Sequence, residues 1–208
     1  MKYKFEDIAI NGITKRKPTE EDMENYIGLE HLDPGDLNVT RYGSKVPIKG
    51  EKLVMKKGDV LFGRRNTYLK RASIAPHDGL FSAHGMVLRP KEAVIAKEFF
   101  PFFISSDYFL DAAIRISVGS ISPTVNWNTL KGLEFEVPAL KEQQALAEIL
   151  WAITETRTAY KNLLTLTEQL VKSQFVEMFG DVFTGSEKYK TDALSMLIDE
   201  KIDRVSKF

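Results

Sequence analysis

The sequence predicts an α+β protein, a mixed globular domain followed by one long coiled-coil-like helix. Between residues 57 and 139, short apolar runs alternate with turns marked by glycine and proline. From Lys141 to Phe179 there is neither Gly nor Pro, and apolar residues recur every three or four positions. The expected division is a globule over 1–139, a helix over 140–180, and a remainder, 181–208, too short to fold alone.

Lys57-Gly58-Asp59 reads as a turn leading into a strand, Val60-Leu61-Phe62, that ends at Gly63. Ser73-Ile74-Ala75 is a second strand, closed by Pro76-His77-Asp78-Gly79, and Gly85 to Leu88 a third, broken by Arg89-Pro90. Phe99, Phe102, Phe103, Ser106, Phe109, Leu110 and Ala113 then follow helical spacing, with Pro101 near the start and Gly119 placed to end the helix. Gly119 to Trp127 is a loop by composition, with Trp127 expected to plug the core, and Leu133 to Val137 is a strand. Along the final helix, Leu146, Ile149, Ile153, Thr156, Tyr160, Leu163, Thr167 and Leu170 form a seam. A rod of that length with one apolar stripe calls for a partner helix. Past Gly180-Asp181, Tyr189 to Met196 loosely echoes Tyr3 to Ile10, as a truncated second copy of the first domain would.

Composition narrows the function. No cysteine is present, which excludes disulfides, thiolate nucleophiles and cysteine-ligated zinc. No apolar run approaches the roughly eighteen residues of a membrane span, and the first residues carry acidic groups where a secretory signal needs an apolar core. An intracellular protein is expected. His31, His77 and His84 lack helical metal-pair spacing, and there is no phosphate loop, nucleophile elbow or dinucleotide fingerprint. The expectation is a chain without its own catalytic site, metal or cofactor.

Net charge is zero, but its distribution is uneven. From Arg41 to Arg71 there are ten basic residues against Glu51 and Asp59, a net +8 over 31 residues. Arg64, Arg65, Asn66, Tyr68, Lys70 and Arg71 follow a strand end. Arginine can hold guanine bidentately, asparagine can do so with adenine, and lysine serves phosphate. Lys45 and Lys49 extend the basic stretch; Lys56 and Lys57 are as ambiguous taken singly. A solvated hairpin loop is the ordinary alternative, and His84, in its Ser82–Gly85 turn, reads as structural.

Three segments carry a resemblance. Gly58-Asp59-Val60-Leu61-Phe62-Gly63-Arg64-Arg65 with Gly79 to Arg89 is one, and Ser117 to Trp127 is another. The third pairs a helix entry, Val137 to Leu150, with a helix exit, Gln174 to Asp181. In this order they resemble the specificity subunit of type I restriction–modification systems. The resemblance implies a target recognition domain and a spacer helix. It implies a non-catalytic subunit that positions a separate adenine methyltransferase and an endonuclease/translocase on double-stranded DNA. S-adenosylmethionine, ATP and Mg2+ then belong to partner subunits, and the setting is a bacterial or archaeal cytoplasm. The family normally carries two such units in tandem; here there is one and a fragment, which suggests a half-subunit dimerised through Leu146, Ile149, Ile153, Tyr160, Leu163 and Leu170, or a truncated chain. The competing function is a dimeric scaffold or adaptor that reads no DNA.

Overall fold

The computed structural model describes residues 1–181 and 186–187. Its strands are β1 (Lys2–Lys4), β2 (Ala9–Gly12), β3 (Lys15–Arg16), β4 (Lys52–Met55), β5 (Val60–Phe62), β6 (Ala72–Ile74), β7 (Gly79–Phe81), β8 (Met86–Pro90), β9 (Glu134–Glu136), β10 (Gly180–Asp181) and β11 (Ser186–Glu187). Its helices are α1 (Phe5–Ile8), α2 (Asp22–Asn25), α3 (Phe100–Ser105), α4 (Asp107–Arg115), α5 (Trp127–Leu130) and α6 (Leu140–Phe179). The architecture is α+β.

An antiparallel four-stranded sheet, ordered β2-β8-β5-β6, is the frame. Its central strands are apolar throughout Val60–Phe62 and Met86–Leu88 because both faces are covered. Val60, Phe62, Met86 and Leu88 face one core with Phe5, Phe100, Phe103, Phe109 and Phe135, while Leu61 and Val87 face a second with Ile27, Leu53, Met55 and Phe81. That double burial is why Val60-Leu61-Phe62 and Met86-Val87-Leu88 lack the alternation of a one-sided strand. The second core lies under the three-stranded sheet β3-β4-β7, and β1 pairs with β9 to tie the first residues to the chain just before α6.

Two expectations are corrected. The single helix expected over Phe99–Ala113 is two, because Ser106 is extended (ψ 148°) and its Oγ accepts from Phe109 N at 3.3 Å, starting α4 as a cap. Gly119 ends no helix: α4 stops at Arg115, and Gly119 lies beyond it in the loop at φ +118°. Five strands in the first 81 residues, β1 to β4 and β7, carry no strong sequence signal.

Two compact units divide the chain, Met1–Ala152 and a second beginning at Ile153. The first therefore includes the opening turns of α6 and runs past the expected border at 139. Gln143, wholly buried, accepts from Ala96 N at 2.8 Å and donates to the carbonyls of Val94 (3.0 Å) and Pro138 (2.9 Å). Ala147 is buried beside it, and Trp151 donates to Glu98 O at 3.0 Å and packs edge-on against Phe102. In the second unit α6 is exposed at nearly every position, with Thr154 and Thr158 half-buried, and Ile153, Tyr160, Leu163 and Leu170 are each 56–69% exposed. Leu164, Val171 and Phe175, absent from the expected seam, widen that apolar stripe. The helix ends as expected at Gly180, whose φ is +84°. The echo at Tyr189–Met196 lies outside the described residues.

Candidate nucleic-acid interface

The site grows from the end of β5. Gly63 N donates to Arg71 O, closing a loop over residues 64–70 that contains a single 3-10 turn, Thr67–Leu69. Asn66 and Lys70 flank that turn at φ +53° and +49°. Two non-glycine residues in the left-handed region are held only where the surroundings fix them. Here they are fixed: Thr67 is buried with its hydroxyl on Arg64 O, and Asn66 N donates to Pro123 O at 2.8 Å.

Two neighbouring segments lie against this loop. Arg65 N donates to His84 O at 3.2 Å on one side, and Arg65 forms a bridge with Thr124 on the other. Thr124 in turn exchanges two backbone hydrogen bonds with Val118. The Ser82–Gly85 turn, the strand end at Arg64–Asn66 and the 117–125 hairpin thus form one continuous edge. Gly85 makes the approach possible, since a Cβ there would stand 2.0 Å from the Phe81 ring and 3.0 Å from the Phe62 carbonyl.

The charged side chains at this edge are all cationic. Arg65 is exposed, 3.5 Å from His84 Nε2 and 3.4 Å from Ser122 Oγ. A guanidinium has only donors, so Nε2 accepts. Partial burial, then Arg65, Arg64 and Lys52, hold the His84 imidazole below its usual pKa. Arg64 reaches along the Ala83 carbonyl (3.5 Å) into a cleft of about 290 Å³ lined also by Asn11, Lys15, Leu53, Met86 and Trp127. Trp127 packs on Phe5 (5.6 Å) at the border of the core, half-buried rather than plugging it. Among the described residues, Lys15, Lys52, Arg64 and Arg65 have no carboxylate within 4 Å.

The other sequence-predicted residues lie elsewhere in the geometry. Lys70 is not left unpaired for phosphate: its ammonium sits between Asp107 (2.6 Å) and Asp111 (2.7 Å), one turn apart on α4. Arg71 turns inward, donating to Leu29 O at 3.0 Å, and burial lowers its pKa. Asn66 holds its Oδ1 buried without a hydrogen-bond partner, so its amide is not presented for adenine. Tyr68 is exposed at the loop tip. Lys45 lies by a different cleft, with Glu20, Glu24, Glu30 and Tyr42. Lys49 is exposed, and its carbonyl accepts from Lys52 Nζ. Sequence reasoning missed Lys15, Lys52 and the cleft. Lys15 comes from β3, outside the basic stretch, and only the β3-β4 pairing, Arg16 opposite Lys52, brings it to the same edge.

Residues 1–172 match the family model described as type I restriction modification DNA specificity domain. The chain belongs to that family. No curated protein matches the sequence. Among solved structures it is similar to the S subunit of a type I restriction–modification system from M. genitalium (13% identity, TM-score 0.63, covering 86% of this chain and 45% of that one). It is also similar to the HsdS subunit from Thermoanaerobacter tengcongensis (19%, TM-score 0.58, 88% and 50%). A third similar structure is described as addressing complex assembly and conformational transition of the type I R-M system (17%, TM-score 0.57, 93% and 51%). The specificity-domain chain spans about half the length of each. These likenesses show the shared fold, long helix included. Among the described residues no helix is long and apolar enough to cross a membrane.

Proposed function

We propose that this specificity domain reads one half of a split DNA site and is non-catalytic itself, placing a separate adenine methyltransferase and an endonuclease/translocase on that DNA. S-adenosylmethionine, ATP and Mg2+ serve those partners. The uncompensated basic edge supports the reading. Arg64 and Arg65, standing on a fixed loop, are suited to guanine O6 and N7, while Lys15 and Lys52 are suited to phosphate. Two copies join through the exposed apolar stripe of α6, a helix about 60 Å long, packed antiparallel. A twofold axis then presents the same edge to both halves of the site, so the target is an interrupted palindrome.

The test is reconstitution of the chain with its methyltransferase, followed by mapping of modified adenines. Two related half-sites are expected, with a gap that lengthens when whole turns are inserted into α6. Two unrelated halves would refute the symmetric model. Absence of binding to any duplex at low salt would favour the scaffold alternative.

A further inference from the structure

The tip of the 117–125 hairpin is oddly apolar for its position. Ile121 is 92% exposed and Val118 72%, set among Ser117, Gly119, Ser120 and Ser122. One exposed isoleucine means little by itself. This one sits on a rigid support: Val118 and Thr124 exchange two backbone bonds, Thr124 Oγ1 caps Ser122 O at 2.9 Å, and Asn66 N holds Pro123 O. Arg65 Nη2 lies 3.4 Å from Ser122 Oγ, so an unneutralised guanidinium neighbours the apolar tip. From Ile116 to Leu133 there is no acidic residue. A surface that excludes negative charge, borders free arginine and presents a branched alkyl group is complementary to the floor of the DNA major groove, where the only apolar feature is the thymine methyl.

We propose that Ile121 is a specificity-determining residue that contacts a thymine C5-methyl, next to or one step from the guanine held by Arg65. The assignment rests on the DNA-reading role proposed above. Backbone ties fix the tip, so the contact adds selectivity without an ordering step on binding.

The experiment selects duplexes from a random pool with the full chain, then replaces each thymine of the selected site singly by deoxyuridine, which removes only the methyl group. Wild-type protein is expected to lose about fourfold in affinity at one thymine per half-site, the value of one buried methyl-sized group. Ile121→Ser is expected to bind the unmodified site as weakly as wild type binds the uracil site, and to be indifferent to uracil at that position. Ile121→Val retains part of the discrimination. Since the side chain is exposed, unchanged melting temperatures will show that the variants fold. Equal sensitivity of wild type and Ile121→Ser to every uracil, or no sensitivity in either, overturns the assignment. Loss of methyltransferase binding in Ile121→Ser with the uracil effect intact also overturns it, and makes the tip a protein contact. Failure of wild type to select any duplex overturns instead the DNA-reading role itself.

Discussion

Replacing Gln143 tests how the helix is fastened to the recognition domain. Its amide serves three backbone groups at 2.8–3.0 Å with no exposure to solvent. In Gln143→Leu the volume is nearly kept, so the loss isolates the polar contribution. The Ala96 N–H is left buried without an acceptor, at a cost of about 1–3 kcal/mol. The Val94 and Pro138 carbonyls are only partly buried and recover some solvation. Adding a cavity in Gln143→Ala brings the expected destabilisation to about 2–4 kcal/mol. For a unit of this size that corresponds to a fall in Tm of about 4–16 °C, read by circular dichroism at neutral pH. Gln143→Glu refines the logic. Its carboxylate still accepts from Ala96 N but opposes two carbonyls, so burial and those dipoles raise its folded pKa. A raised pKa stabilises below the unfolded value of about 4.3 and loses that stabilisation as pH rises through the folded value. This variant therefore gains stability on acidification. A Gln143→Leu protein as stable as wild type would refute the assigned role of the amide.

Other expectations concern charge and assembly. Arg64→Ala with Arg65→Ala should relax specificity, each lost bidentate contact costing about 1–3 kcal/mol, whereas Lys15→Ala or Lys52→Ala should weaken all duplexes alike and lower the salt slope by about one. Lys70→Ala should leave that slope unchanged, because its charge is already met by Asp107 and Asp111; a slope lowered by about one would return Lys70 to phosphate. Ile153→Asp with Leu163→Asp should yield monomers or insoluble protein by light scattering, each buried large side chain being worth about 1.5–3 kcal/mol. Arg16, then Thr19, hold the buried Asp22 carboxyl at a pKa of about 2, against an ordinary value of 3.8. Because the folded pKa is depressed, about 2 kcal/mol of stability is present above pH 4 and lost as pH falls toward 2, a dependence that Asp22→Asn should remove from acid unfolding curves.

The legible parts of the fold were those with continuous apolar signals. Val60-Leu61-Phe62 and Met86-Val87-Leu88 announce themselves because two cores bury both faces, and α6 because forty residues run without a breaker. Lys15-Arg16 gives no such signal: β3 is two exposed residues long and exists only through its pairing with β4. Ser106 hid a helix break inside an unbroken apolar rhythm, since a cap is a matter of one hydroxyl and periodicity does not register it. The heptad reading of α6 found one stripe and missed that Gln143, Ala147 and Trp151 form a second, because a glutamine at such a position reads as polar surface until its three partners are seen.

The site was legible only in outline, and the reason is electrostatic. A chain with zero net charge hides which cations are available. Folding makes the selection by spending carboxylates on structural partners. Asp59 takes Arg89 in a two-pronged contact at 2.7 Å, Asp22 takes Arg16, Asp33 takes Arg41, Glu134 takes Lys2, and α4 takes Lys70 with two acids. The dense run from Arg41 to Arg71 therefore overstates the candidate surface, since Arg41 and Lys70 are paired with carboxylates and Arg71 turns inward onto the Leu29 carbonyl. Lys15, Lys52, Arg64 and Arg65 come from three separate strands or strand ends and converge around His84 and the Trp127 cleft, which holds no acidic side chain. In that setting the field of four positive charges is not cancelled by a paired carboxylate, and a phosphate backbone feels it increasingly as it comes within the Debye length of about 8–10 Å. Neutral overall charge limits nonspecific attraction elsewhere on the surface, so under the proposed function this edge is where the chain meets DNA.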